Sequence, residues 1–256
     1  MEYWLDQFHL FLLILLRVSA LLIVTPIFGH RNYLARAKIG LAFMISLILF
    51  PVLSSSPFQV PEGVVPYALM MAREVVMGLV LGFAVLLFFV GVQFAGQLAG
   101  LQMGFGIVEV IDPQSTSQIS IIGQFLNLLA VLILLAINGH HMILRALVRS
   151  FELVPLGRVE VKGAVIQKLI LLSSQVFAIA IQISAPVVVA LFLISIALGI
   201  LARTVPQMNV FIVGFPVQLS AGMAVLMLAL PLIYLLLGKF TRLLERDLLA
   251  LLDFFA

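Results

Sequence analysis

The sequence predicts an all-α fold: a multi-pass helical membrane protein with kinked and broken helices. Hydrophobic residues make up 64% of the 256 residues and charged residues 10%, whereas soluble domains average about 45–50% and about 25%. Four stretches contain no charged side chain: residues 75–108, 113–144, 169–202 and 204–238. Each exceeds the roughly 20 apolar residues that a helix needs to cross a bilayer. None alternates with a period of two, so a β-barrel is excluded. The high hydrophobic fraction and the low charged fraction exclude a soluble enzyme.

The first apolar run covers residues 8–28 and contains Arg17. Residues 1–7 include acids but no Lys or Arg, and no small-x-small cleavage site follows the run. A secretory signal peptide needs a basic start and such a site, so we expect the first helix to stay in the mature protein. A shorter apolar run at residues 39–53 predicts the second helix.

The distribution of basic residues predicts an orientation in the membrane. Basic residues concentrate in residues 31–38, 145–168 and 239–246, whereas residues 54–66 and 104–118 contain no Lys or Arg. Cytoplasmic loops carry the positive excess, which predicts an outside N-terminus and an inside C-terminus. The apolar stretch at residues 67–103 then lies between two outside segments. It either folds back as two short arms, which gives seven passes, or does not cross the bilayer in the usual way.

Prolines interrupt the last third of the chain. Pro186, Pro206, Pro216 and Pro231 each remove a helical hydrogen bond and are expected to kink or stop a helix. At membrane depth, such breaks are tolerated where protein or a watery cavity surrounds them.

Glycines recur at every fourth residue in two rows. The predicted helix-packing positions are Gly78 and Gly82 in the first row and Gly96, Gly100 and Gly104 in the second. Small residues in this spacing let helix backbones approach closely. The rows therefore predict helix neighbours for this part of the chain.

Three charged residues lie within or beside apolar runs, where charge is expensive and usually functional. Arg17, well inside the first run, is expected to find a carboxylate or a backbone carbonyl on another helix. For Arg73 and Glu74 the favoured interpretation is an anchor to lipid headgroups at the start of a helix.

The C-terminal residues 239–256 predict an amphipathic helix. Its apolar stripe contains Phe240, Leu244, Leu248, Leu251 and Phe255, and its charged residues lie largely off that stripe. Such a helix lies on the cytoplasmic headgroups or docks on a partner subunit, and the sequence leaves both possibilities open.

Neither catalysis nor cofactor or metal binding is predicted. The absence of cysteine excludes a thiolate nucleophile and a zinc–thiolate site. His140 and His141 are adjacent and cannot face one metal as i,i+4 ligands, so a helix-end pair after Asn138 and Gly139 is the simpler interpretation. The 14 basic residues form no tract interleaved with aromatic residues, which predicts no nucleic-acid partner.

Residues 103–118 are the most unusual segment, because they combine glycines, acids and a turn-forming Asp112–Pro113 between long apolar helices. An ordinary extracytoplasmic loop is one interpretation. The apolar first half argues against it, since exposing those side chains to water costs about 25 cal/mol per Å². A segment that is both apolar and irregular is expected to be enclosed by protein.

At these residues the chain resembles the FliR family of flagellar export-gate proteins, whose virulence counterparts serve injectisome type III secretion. The matching stretches are residues 96–117 (GQLAGLQMGFGIVEVIDPQSTS), 135–157 (LAINGHHMILRALVRSFELVPLG) and 199–222 (GILARTVPQMNVFIVGFPVQLSAG). Residues 25–43 (TPIFGHRNYLARAKIGLAF) match as well. Long motifs in the same order are more specific than any short pattern, and the resemblance covers essentially the whole chain.

The resemblance implies a subunit of a helical hetero-oligomeric export gate in the bacterial inner membrane, at the flagellar basal body. Residues 1–165 would correspond to a FliP-like helical part and residues 166–256 to a FliQ-like helical hairpin. The implied partners are FliP- and FliQ-type subunits, a FlhB-type switch subunit, a FlhA-type ring, membrane lipid, and exported flagellar polypeptides in transit. The family's assembly is largely lifted out of the bilayer plane, which would explain the irregular charge alternation.

The family's internal plug maps here onto about residues 105–120, called the plug segment below. The plug residues assigned on this basis are Phe105, Gly106, Ile107, Val108, Glu109, Val110, Ile111, Asp112, Pro113, Gln114 and Ser115. By hypothesis, the apolar half closes the pore to ions, and the polar half from Asp112 to Gln118 gives way to a passing polypeptide. No side chain would perform chemistry.

Two other classes of function stay open at this point. A secondary transporter or channel that acts alone fits the broken helices, although the four charge-free stretches leave Glu109 and Asp112 as its candidate ion carriers. An assembly scaffold without a gating role is the third possibility.

Overall fold

The computed structural model describes residues 2–29, 34–53, 61, 63–105, 120–205, 207 and 209–255, and the regular elements among them are all helices. The helices are α1 (Glu2–Val24), α2 (Pro26–Gly29), α3 (Ala35–Leu53), α4 (Val64–Gln102), α5 (Ile121–Ala136), α6 (Gly139–Leu153), α7 (Gly163–Thr204) and α8 (Val210–Phe255). The predicted all-α class is confirmed.

Five helices are long and apolar enough to cross a membrane within the described part of the chain: α1, α3, α4, α7 and α8. A sixth span arises if α5 and α6 are counted together as one broken span. The described helices thus support five or six spans, and the expected seven passes are not reached. The predicted orientation of the two termini stays a prediction.

The expectation that residues 67–103 fold back as two short arms is wrong. α4 is one continuous helix of 39 residues. Its sequence between Tyr67 and Gln102 contains no proline, and its glycines stand singly among Leu, Val, Phe and Ala. A single glycine in a helix costs about 1 kcal/mol relative to alanine, which is too little to break so long an apolar helix.

Three of the four prolines that were expected to kink or stop a helix lie inside helices and do not stop them. α7 continues through Pro186, and α8 continues through Pro216 and Pro231. In α8, the Ser220 hydroxyl donates to the Pro216 carbonyl oxygen at 2.6 Å. Pro206, the fourth predicted break, lies outside the described residues.

A true break separates α5 from α6. The chain bends there by 71°, and Asn138 adopts the left-handed conformation with φ 59°. Asparagine tolerates this conformation better than most residues, and Gly139 then begins α6. The Asn138–Gly139 pair therefore explains the break, and His140 and His141 follow at the start of α6.

The described residues form two compact units. The first unit lies within Met1–Leu87, Asn138–Ser173 and Thr241–Ala256. Its fully buried side chains include Leu13 and Leu21 of α1, Met77 and Leu81 of α4, Ile143 and Leu147 of α6, and Leu251 of α8. α3 packs against α1, with the Phe11 ring centroid 5.4 Å from that of Phe43.

The second unit lies within Phe88–Ile137 and Ser174–Phe240. Its core includes Val92, Ala95, Leu126, Ala180, Leu191 and Ile233. Gln218 of α8 donates to the Ser195 hydroxyl of α7 at 3.2 Å. The predicted division at residue 165 concerns resemblance to two other kinds of subunit rather than compactness, and it stays a prediction.

The C-terminal amphipathic helix is the end of α8, and its apolar stripe is covered by the chain itself. Phe240, Leu244, Leu248, Leu251 and Phe255 are each at most 6% exposed. Both predicted destinations of the stripe, the headgroups and a partner subunit, are therefore wrong for these side chains. Lys168 Nζ lies 2.7 Å from Asp247 Oδ1 and ties the start of α7 to the same helix end.

The buried stripe makes a stability prediction. Leu248 is 1% exposed, whereas Leu243 on the same helix end is 39% exposed. Leu248→Ala is expected to lower the free energy of unfolding by about 2–5 kcal/mol, because it leaves a cavity. Leu243→Ala is the matched control and should change it little. The thermal unfolding midpoint of each detergent-solubilised variant, monitored by circular dichroism, compares the two. Equal shifts of the midpoint would show that the stripe is not buried.

Candidate functional site

The charged site of the first unit centres on Arg17 of α1. Its side chain is completely buried, as is that of Glu74 in α4, and Arg17 Nε donates to Glu74 Oε2 at 2.6 Å. The structure thus supplies the carboxylate that the sequence predicts for Arg17. Burying either charge alone costs several kcal/mol, so each requires the other.

Backbone carbonyls satisfy the rest of the Arg17 guanidinium. Its Nη1 donates to the Ser150 carbonyl oxygen at 2.9 Å, and Nη1 and Nη2 both lie 3.2 Å from the Val154 carbonyl oxygen. Ser150 and Val154 belong to the end of α6, where the helix dipole favours a cation. The guanidinium carbon also lies 4.3 Å from the ring centroid of Phe151, within the range of a cation–π contact.

Glu74 uses its second carboxylate oxygen as well. Oε1 accepts a hydrogen bond from the Gly157 backbone N–H at 2.8 Å. Gly157 has φ +80°, a conformation that favours glycine. One ion pair therefore joins α1, α4, the end of α6 and the turn that follows it.

The interpretation of Arg73 and Glu74 as a headgroup anchor is wrong for Glu74. Neighbouring helical residues point about 100° apart, and here Glu74 is fully buried while Arg73 is exposed. The partners Ser150, Val154 and Gly157 could not be found from the sequence, because they lie 83 to 137 residues away along the chain and act mostly through backbone atoms.

The first glycine row lies where α4 crosses α1. A methyl group on Gly78 would lie 2.7 Å from the Ala20 Cβ and still closer to the Arg17 carbonyl oxygen. A methyl group on Gly82 would lie 2.9 Å from the Val24 Cβ. Gly78 is one turn after Glu74, so this close approach of the backbones brings Arg17 within reach of the carboxylate.

The second row lies in the second unit, where α4 meets α5. A methyl group on Gly96 would lie 2.7 Å from the Gly123 nitrogen and 2.8 Å from the Ile122 carbonyl oxygen. One turn later, Gly100 lies against the Ser120 hydroxyl. Gly123 was not predicted. In the sequence, Gly123 is a single glycine in an apolar run, and this does not identify a helix-packing position unless the partner helix is known.

Gly104 differs from the other glycines because it lies beyond the last helical residue, Gln102. Its φ is +92°, its N–H donates to the Leu101 carbonyl at 3.1 Å, and the Phe105 N–H donates to the Gly100 carbonyl at 3.1 Å. These two bonds form a Schellman motif, a common way to end a helix. Gly104 therefore ends α4 and does not extend the helical glycine row.

The plug segment begins at Phe105, the last residue of this motif. Phe105 is described and partly buried. The other predicted plug residues, from Gly106 to Ser115, lie outside the described residues, and their role stays a prediction. At the far end, Ser120 precedes the first residue of α5. The contacts of Gly100 and Gly96 with α5 therefore bring the two ends of the plug segment together.

Among the described residues, no group of three or more His, Asp or Glu side chains could hold a metal ion. The rings of His140 and His141 lie 4.2 Å apart by their centroids. His30 lies outside the described residues.

The fold and this site define a multi-pass helical membrane protein in which buried charges and glycines hold helices together. The family model for "Bacterial export proteins, family 1" matches residues 8–244, so the chain belongs to that family. It is 38% identical to the flagellar biosynthetic protein FliR of Bacillus subtilis over 96% of both chains. It is 32% identical to FliR of Escherichia coli over 91% of this chain and 88% of that one. The Aquifex aeolicus FliR is 28% identical, over 85% and 83%.

The buried ion pair predicts an asymmetry between adjacent residues. Arg17→Met leaves Glu74 buried and unpaired, and it should lower the free energy of unfolding by about 3–5 kcal/mol. Arg73→Met, at an exposed neighbour of Glu74, is the control and should change little. The double variant Arg17→Met/Glu74→Met should lose less than Arg17→Met alone, because no unpaired charge remains. Thermal unfolding and membrane yield measure all three, and equal effects of Arg17→Met and Arg73→Met would contradict the assignment.

The glycine contacts predict a second contrast. Gly96→Ala should destabilise by about 1–3 kcal/mol, because the atoms opposite it are backbone and cannot give way easily. Gly199→Ala in α7 is the matched helical control, since nothing lies within 4 Å of a methyl group there. The control should be neutral or slightly stabilising. The same thermal measurement applies, and a harmless Gly96→Ala would show that α4 and α5 are further apart.

Proposed function

We propose that this chain is a core subunit of the bacterial flagellar type III protein export gate. With FliP- and FliQ-type subunits it forms the channel for unfolded flagellar proteins in the inner membrane, and the plug segment seals that channel. The observation that carries the proposal is the family match over residues 8–244 together with the flagellar biosynthetic relatives that align over nearly the whole chain. A FlhB-type subunit and a FlhA-type ring are the further proposed partners.

The uneven burial of the helices supports a role within an assembly. In the most apolar 18-residue part of α4, 56% is buried inside the protein. The corresponding share is 17% in α3 and 17% in α7. Much of the apolar surface of α3 and α7 is therefore left for lipid or other subunits. A chain that encloses its own transport path would bury more of its long helices internally.

The stem of the plug segment, formed by the end of α4 and the start of α5, supports the gating part of the proposal. α4 ends in a fixed Schellman motif, and Gly96 and Gly100 hold α5 beside it. A loop whose ends are held together can fill a pore without pulling its helices apart. Apolar closure suits this task, because the membrane potential drives ions through any leak with about 2.3 kcal/mol per charge per 100 mV.

The engagement of Glu74 removes one buried acid from the possible ion carriers of a transporter that acts alone; Glu109 and Asp112, the candidates named from the sequence, lie outside the described residues. A coupling carboxylate must be free to bind and release its ion, but both oxygens of Glu74 are bonded, to Arg17 and to Gly157. Separating such a buried pair leaves an uncompensated charge at high cost, so Glu74 is poorly suited to release its partner for an ion.

Deleting residues 107–117 from the chromosomal copy tests the gate. We expect the variant to be recovered with its partner subunits, while cells become leaky to small ions because the pore loses its seal. A variant in which a Gly/Ser linker of equal length replaces these residues is the control for loop length, and it should leak as well. Ion leakage is measured as loss of membrane potential in whole cells.

The possible outcomes separate the parts of the proposal. An ion-tight deletion strain with intact assembly would disprove the plug. Normal motility and normal secretion of flagellar proteins in a strain that lacks the whole chain would disprove the flagellar role. Substrate or ion flux through the purified chain alone in liposomes would favour the stand-alone transporter or channel.

A further inference from the structure

The part of α7 that belongs to the second unit has two distinct faces. The inner face is buried and contains Ile179, Ala180, Ile183, Val187 and Leu191. At 3.6 residues per turn, the opposite side of the helix is taken by residues 178, 181, 182, 185, 189, 192 and 196. Most of these side chains are exposed.

Gln182 lies on this outer face and near the middle of the 42-residue helix. Its side chain is exposed. A glutamine amide has two N–H donors and an oxygen with two lone pairs. Hydrocarbon offers partners to none of them, so acyl chains are a poor cover for this position.

Water is an equally poor cover, because the residues around Gln182 are large and apolar. Phe177 is 60% exposed, Ile181 61%, Val189 57% and Leu193 61%. A face of this composition does not line an aqueous path, since wetting it costs about 25 cal/mol per Å². A cover that is apolar overall but supplies a hydrogen bond at one depth is a protein helix.

Small residues flank the amide. Ala178 precedes Gln182 by four residues and Ala185 follows it by three, so both lie one turn away on the same face. Small side chains at such spacing let a second helix approach closely enough for an interhelical hydrogen bond. We infer that the outer face of α7 around Gln182 docks onto a membrane-spanning helix of a different subunit, which presents a hydrogen-bonding side chain to Gln182.

This inference rests on the proposed function, because it requires a hetero-oligomer, and it adds which surface of the chain meets the partner. α3 supplies the contrast. Its exposed apolar side chains between residues 39 and 52 include Ile39, Met44, Leu47, Ile48 and Val52. No exposed polar side chain interrupts that part of α3, so lipid can cover it.

Photocrosslinking in the assembled complex tests the inference. A photoreactive residue replaces Gln182 in one variant and Ile48 in the control, and each complex is crosslinked in native membranes. At position 182 we expect a crosslink to a co-purifying subunit, mapped by mass spectrometry to an apolar helix with a Ser, Thr, Asn, Gln or His beside the crosslinked residue. At position 48 we expect lipid adducts. Lipid adducts at both positions, or a crosslink from 182 to a second copy of this chain, would overturn the inference.

Substitution gives an independent readout. Gln182→Leu keeps a similar volume but removes the amide, and we expect it to weaken partner retention in detergent by about three- to twentyfold, the range for interhelical hydrogen bonds in membranes. Ile181→Leu, on the same turn, should leave retention unchanged. Because Gln182 points away from the buried face, both variants should keep the wild-type thermal unfolding midpoint.

The failure of the two proposals can be told apart. If the wild-type chain retains no other export subunit, the proposed function and this inference fail together. If the wild-type chain retains its partners, Gln182→Leu retains them equally and position 182 reacts with lipid, the docking surface alone is wrong.

Discussion

The first unit depends on the contact between Arg17 and Glu74, two fully buried charges with 2.6 Å between their closest nitrogen and oxygen. Neither charge is stable there by itself. The guanidinium also needs the carbonyl oxygens at the end of α6, and the carboxylate needs the Gly157 N–H. The arrangement is therefore satisfied when α1, α4, α6 and the following turn are in place together, and the loss of any one of them leaves a buried charge with too few partners.

Glycine makes this contact possible. Gly78, one turn from Glu74, lets the α4 backbone lie directly against the Arg17 backbone. The same device recurs in the second unit, where Gly96 meets Gly123. There it holds two helix ends rather than a charge pair. One physical principle, the small residue at a helix crossing, thus serves both the polar centre and the stem of the plug segment.

The sequence predicted what depends on composition and local pattern. The apolar stretches indicated the helices, and the position of Arg17 in an apolar run indicated a buried partner. Of the two alternatives for residues 67–103, the one with two short arms followed from charge alternation, which is a property of the loops, although the sequence has no turn signal between Tyr67 and Gln102. The partners Ser150 and Val154 were missed because they bind largely through backbone carbonyls, which every residue possesses. The burial of the α8 stripe was missed because an amphipathic pattern indicates that one face of the helix is covered but does not identify what covers it.

Polar groups in the long helices differ in whether the chain itself supplies a partner. Arg17, Glu74 and the Lys168–Asp247 pair find their partners within the chain. Gln182, at the middle of α7, instead faces outward among exposed apolar side chains. A protein that functions alone in a bilayer gains nothing from an amide in that position, because the alternative apolar residue would be better solvated by lipid. The amide is useful if another helix meets it, and it then helps to choose which helix binds there, since a wholly apolar helix would leave it unsatisfied.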